Sequence, residues 1–213
     1  MAARRKRAHA YHHGDLRRAL LDAARAELHK VGVRELSLRS VARRAGVTHT
    51  AAYHHFADKD ALLRCVAQEG FEKLDAAMHA AMADAGNDPI LRLRAAGLGY
   101  LRFATADPAA HQLMFELVGR TGAQDIGAVD RDLESAGARA FQTLVDAVIA
   151  ARAAAHMPGD PMPDVMLQWS AVHGLATLAQ NGRLESLGMG SLDEFGKKLV
   201  DRLVAVFEAG AAR

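Results

Sequence analysis

The chain has 213 residues, half of them apolar and 24% charged, which is enough to bury a real core in one or two domains and excludes intrinsic disorder or a disulfide-stapled miniprotein. Its net charge of +2 hides an asymmetry, because residues 1–64 hold 14 Lys and Arg against 6 Asp and Glu, whereas residues 65–213 hold 13 against 19. A basic first third points to a polyanion, nucleic acid or an anionic membrane surface, as the partner of that part only.

The single cysteine, Cys65, cannot bridge internally and no charged-then-apolar leader opens the chain, so a reduced, cytoplasmic setting is expected. The charge-free stretch 165–182 is interrupted by Gln168, Ser170, His173, Thr177, Gln180 and Asn181. It reads as a buried helix, and no membrane partner is expected.

In chain order, the apolar periodicity predicts nine helices and no strand, an all-α protein. Residues 15–30 place Leu16, Leu20, Ala24 and Leu28 on one stripe, with Gly32 as a stop. Ser37 caps a short helix at 38–45, Gly46 closes it, Thr48 caps a third helix to Phe56, and Asp58 caps a long fourth to about 85 with Leu63, Ala67, Phe71, Leu74, Met78 and Met82 inward. Further helices are predicted over 90–106, 108–118, 125–155, 163–180 and 191–208, the five prolines falling between them. The last helix has two apolar stripes, Leu192, Phe195, Leu199, Leu203 and Val206 on one side and Val200, Val204 and Phe207 on the other. Two such faces imply a second partner, so a homodimer through the last two helices is expected, with Leu175, Leu178, Phe195, Leu199 and Leu203 at its interface.

Two short helices around Ala45-Gly46-Val47 form a helix-turn-helix, with Val41, Ala42, Ala45, Val47, Ala52 and Phe56 as its small core. The second helix is then free to enter a major groove. Thr48, His49, Thr50, Tyr53 and His54 are the candidate base and phosphate readers, while Arg39 and Lys59 suit phosphate oxygens on either side. Arg43 and Arg44 read equally well as solvated surface, and the basic run at residues 4–7 as a DNA-contacting arm or a solubilising tail.

Residues 14–64, with the turn at Gly46, the Tyr53-x-x-Phe56 ending and Lys59 opening the fourth helix, resemble the DNA-binding domain of the tetracycline-repressor-like (TetR) family of bacterial regulators. Tyr11-His12-His13-Gly14-Asp15-Leu16 and Tyr53-His54-His55-Phe56-Ala57-Asp58-Lys59 match the wording of one branch of it, whereas Thr50 and Ala52 depart from the usual residues. The resemblance implies a basic tail at 1–13, a three-helix DNA-binding domain at 14–60 and a helical-bundle effector-binding and dimerisation domain at 61–213, acting on a double-stranded operator. Gln168-Trp169-Ser170-Ala171-Val172-His173-Gly174 and His111-Gln112-Leu113-Met114-Phe115 resemble a ligand-domain class of the family named for its Trp and His-Gly signature. That class implies a small apolar or aromatic effector. Trp169 and His173 share a helix face, and Phe103, Met114 and Phe115 are further candidate lining residues; such residues on a buried helix are more often plain core.

No nucleophile elbow, metal-ligand spacing or phosphate-binding glycine loop occurs, and the paired histidines 12–13 and 54–55 point apart on a helix. No enzyme, metal or cofactor is expected. Three readings stay open: a homodimeric repressor released by a small effector, a ligand-independent DNA-binding regulator whose second domain only dimerises, and a helical ligand-binding or catalytic module with an incidental basic end.

Overall fold

The computed structural model describes residues 13–121 and 131–211, which divide between Val66 and Ala67 into two compact units. The basic run at residues 4–7, Tyr11 and His12 lie outside the described residues. Every regular element described is a helix.

The first unit contains α1 (His13–Glu35), α2 (Leu38–Arg44), α3 (His49–His55) and the opening turns of α4 (Lys59–Asp84). α1 leaves helical geometry at Gly32, where φ is +71°. Local chemistry sets the next boundaries. Ser37 Oγ accepts from the Ser40 backbone N–H at 3.1 Å and Ser40 Oγ accepts from the Ser37 N–H at 3.2 Å, a reciprocal cap on α2. Thr48 Oγ1 accepts from the Ala51 N–H at 3.2 Å to start α3, and Asp58 Oδ1 accepts from the Ala61 N–H at 2.7 Å to start α4. Between α2 and α3, Gly46 has φ +72°, a conformation a side chain resists by about 1–2 kcal/mol. Leu20, Leu21, Val41, Ala42, Ala52, Phe56, Leu62, Leu63 and Val66 close the core, while Ala45 and Val47 stay half-buried. Leu62, Leu63 and Val66 extend this core past residue 60, where the domain was expected to end.

The second unit takes up the rest of α4 and adds α5 (Pro89–Ala106), α6 (Pro108–Thr121), α7 (Arg131–Ala154), α8 (Met162–Gln180), the single turn α9 (Arg183–Ser186) and α10 (Leu192–Ala211). The predicted beginning of the seventh helix, 125–130, lies outside the described residues, and α9 was not expected. α5 is central, packing against α7, α8 and α10. At Gly99 a Cβ would sit 2.8 Å from the Ala77 carbonyl oxygen, so glycine permits the close approach of α5 to α4. Gln168 donates to the Leu203 carbonyl at 3.2 Å and Arg94 pairs with Asp201 at 2.6 Å, tying α8 and α5 to α10. Buried Arg152 pairs with Asp164 and donates to the Pro158 carbonyl, fixing the loop between α7 and α8.

On α10, Val200, Val204 and Phe207 are buried, whereas Leu192, Phe195, Leu199 and Leu203 are half-buried and Val206 is exposed. α8 exposes Met166, Leu167 and Leu178. Leu175 departs from the expected outer face: it is 5% exposed and lies beside Gly196 of α10, inside its own subunit. Because α8 is apolar on several sides, its periodicity does not say which stripe turns inward.

Candidate nucleic-acid interface and ligand cavity

In the first unit, Thr48, His49, Thr50, Tyr53 and His54 are all exposed along α3, and Arg39 is exposed on α2. The His49 and Tyr53 rings meet edge-on at 4.6 Å, so they form one aromatic, hydrogen-bonding surface, with Tyr53 48% exposed. Thr48 has two separable parts, a hydroxyl engaged in capping α3 and a methyl outside that bond. Lys59 is half-buried and donates to the Arg34 carbonyl oxygen at 3.2 Å, anchoring the start of α4 to the end of α1. Arg44 pairs with Glu27 of α1 at 2.8 Å, a tie within the unit that the sequence reading did not include.

In the second unit, a cavity of about 340 Å³ opens among α4, α5, α6, α7 and α8. Trp169 and Phe115 line it, as the sequence suggested, joined by Phe71, Tyr100 and Phe141. Phe71 meets Phe115 edge-on at 5.6 Å, and Phe141 meets Trp169 edge-on at 5.5 Å. Gly137, Ala138 and Ala140 of α7 supply little side-chain volume to the lining, and exposed Glu134 stands at the rim. Two expected lining residues are elsewhere: Phe103 is 7% exposed and Met114 is fully buried, its sulfur packed over Gly70, and neither reaches the lining.

His173 also lies outside the lining and belongs to a polar relay behind it. Nε2 of Gln180 donates to the Ala104 carbonyl at 3.2 Å and lies 3.1 Å from Nδ1 of His111, to which the Gln180 amide is hydrogen-bonded. The amide oxygen is farther from that ring nitrogen, at 3.3 Å. Nε2 of His111 is hydrogen-bonded to the Tyr100 oxygen at 2.8 Å. The same oxygen is hydrogen-bonded to Nδ1 of His173 at 2.9 Å. The relay is neutral. Burial, reinforced by repulsion from His173, pushes His111 down to about 4; burial also lowers His173 and holds the Tyr100 phenol well above its ordinary value. Tyr100, His111 and Gln180 were not singled out together from sequence, since the contacts that unite them span 11 and 69 residues.

Among the described residues no group of three or more His, Cys, Asp or Glu is placed to hold a metal ion, and no helix is long and apolar enough to cross a membrane. Cys65 is half-buried and accepts a hydrogen bond from Arg17 at 3.2 Å.

Comparison with known proteins agrees with this division. Residues 20–66 match the family described as bacterial regulatory proteins, tetR family, and residues 93–203 match the tetracyclin repressor-like C-terminal domain. The HTH-type transcriptional regulator BetI of Yersinia pestis is 36% identical over 84 residues, 39% of this chain and 42% of that one. Its counterpart in Stenotrophomonas maltophilia is 32% identical over 79 residues, 37% and 40% of the two chains. The match thus spans less than half the length of these curated relatives. A solved structure from Rhodococcus sp. RHA1, described as a protein with unknown function, is 36% identical and superimposes with a TM-score of 0.78 over 97% of this chain and 100% of that one. The TetR family transcriptional regulator PfmR of Thermus thermophilus shares the fold at 16% identity, with a TM-score of 0.67 over 87% and 97% of the two chains. With the second domain matched over more than half of the chain and the helix-turn-helix matched beside it, this protein belongs to the TetR family of bacterial regulatory proteins.

Proposed function

We propose that the protein is a homodimeric, cytoplasmic transcriptional repressor that sets two copies of α3 into successive major grooves of a palindromic operator and leaves it when a small effector occupies the α4–α8 cavity. The observation that carries this reading is the cavity: about 340 Å³, walled by aromatic rings and standing beside a neutral hydrogen-bonded relay. A domain that served only to dimerise would gain stability by filling it, because empty apolar volume forfeits packing.

On the DNA side, the exposed row Thr48, His49, Thr50, Tyr53 and His54 supports base and phosphate contact, and Arg39 suits a flanking phosphate. The Lys59 bond to the Arg34 carbonyl leaves two ammonium hydrogens for a phosphate while holding α4 in place. For dimerisation, the apolar outer residues Leu167 and Leu178 of α8 and Phe195, Leu199, Leu203 and Val206 of α10 are the support, forming a four-helix contact with two helices from each subunit. Effector binding then shifts the balance between DNA-competent and DNA-incompetent dimers by its difference in affinity for the two.

The test begins with sequencing the genomic fragments that the purified full-length protein retains. Binding to the recovered duplex is then followed by anisotropy while compounds are scored by quenching of Trp169, the only tryptophan. A compound that quenches Trp169 and lowers DNA affinity supports the proposal. Compounds that quench without altering DNA affinity would favour the ligand-independent regulator.

A further inference from the structure

We propose that the ligand of this cavity is an organic monocation, its aromatic or aliphatic body lying among Phe71, Phe115, Phe141 and Trp169 and its charge held toward Glu134. This deepens the effector reading above and rests on it.

The charge inventory of the cavity is one-sided. Among the described lining residues Glu134 is the only acidic side chain, and none is Lys, Arg or His. Among the described inner polar atoms, the Tyr100 hydroxyl is already hydrogen-bonded to both His173 and His111. Both imidazoles are held neutral by burial, so the relay presents no positive charge to an anion. A carboxylate ligand would therefore bring a second negative charge beside Glu134 with nothing to offset its lost hydration. An uncharged ligand would suit the walls, yet covering the rim would strip water from the Glu134 carboxylate without replacing it. A cation removes both difficulties.

The walls also suit positive charge. Phe71 meets Phe115 at 78° and Phe141 meets Trp169 at 64°, edge-to-face pairs among the rings that line the space. Phe115 and Trp169 stand 6.3 Å apart at 41°. Ring faces carry negative quadrupole potential, and an alkylated ammonium is weakly enough hydrated to exchange water for them. The volume lies at the small end of the roughly 300–1,000 Å³ typical of ligand pockets, which sets the ligand at one compact ring system or a short chain.

Three probes on one skeleton test the proposal with the full-length protein, by calorimetry and Trp169 fluorescence: phenylbutyl-trimethylammonium, its uncharged isostere with carbon replacing nitrogen, and phenylpentanoate. The cation is expected to bind about ten-fold more tightly than the isostere, the range of a partly desolvated cation–aromatic contact, with the carboxylate weakest. Glu134→Gln, at an exposed site, should narrow the gap between cation and isostere by about three-fold, the scale of one part-exposed ion pair, by weakening the cation and, with no carboxylate left to desolvate, slightly tightening the isostere. An isostere that binds as tightly as the cation, or a gap that Glu134→Gln does not change, overturns the monocation and leaves the effector cavity standing. If no probe binds while the protein still binds its DNA, the monocation is overturned and the effector role of the cavity falls with it.

Discussion

The Tyr100 hydroxyl lies 2.9 Å from Nδ1 of His173, a hydrogen bond between side chains 73 residues apart that closes the inner end of the cavity. With His111 bonded to the same oxygen at 2.8 Å, removing that oxygen leaves one buried and one half-buried ring nitrogen without their shared partner. Tyr100→Phe is expected to destabilise the fold by about 2 kcal/mol, lowering Tm by roughly 4–8 °C. Thermal unfolding followed by circular dichroism is the check, and an unchanged midpoint would rule out the relay as a structural element.

The relay also sets a pH dependence. His111 is depressed to about 4 in the folded protein, first by burial and then by His173, whereas an unfolded histidine titrates near 6.5. As pH falls through this window the unfolded chain takes up the proton first, so the neutral His111 contribution is complete above about 6.5 and fades toward 4. The loss approaches about 3 kcal/mol at the lower end. Tm should therefore fall across this range in the wild type and fall less in His111→Gln. Parallel Tm profiles for the two proteins would exclude His111 as the source.

The parts of the molecule legible in the sequence are those fixed by short-range chemistry. Ser37, Thr48 and Asp58 cap their own helices within three residues and Gly46 supplies its own positive φ, so the helix-turn-helix follows from local rules. The cavity follows no such rule, because it arises where the small residues Gly137, Ala138 and Ala140 of α7 line the same space as the rings of other helices. Phe71 and Met78 recur at core spacing on α4 and line the cavity all the same, while Phe103 and Met114 carry the same spacing and fill the interior. Glu134 gives no periodic signal at all. Leu175 shows a related limit, since a helix apolar on several sides is oriented by its neighbours.

The two stripes of α10 separate folding from assembly. Val204 is 1% exposed, so Val204→Asp buries an unpaired charge and should prevent folding. Leu199 is half-buried on the other stripe, and Leu199→Asp should leave the helical spectrum intact while converting dimers to monomers in sedimentation velocity. A Leu199→Asp protein that sediments as a dimer would remove this face from the interface.

Reading can be separated from folding at Thr48, whose hydroxyl caps α3 while its methyl is the part suited to a thymine methyl. Thr48→Ala loses the cap and should cost about 1 kcal/mol of stability along with DNA affinity. Thr48→Ser keeps the cap, so it should melt as the wild type does and still lose affinity for the recovered operator, at the base pairs the methyl meets. Arg39→Ala supplies the contrasting case of a phosphate contact. Its loss should weaken binding to all duplexes alike and reduce the slope of log affinity against log salt by about one. Anisotropy titrations across a salt series measure both quantities. A Thr48→Ser protein with wild-type operator affinity would confine Thr48 to capping, and an Arg39→Ala protein with an unaltered slope would take Arg39 off the phosphate backbone.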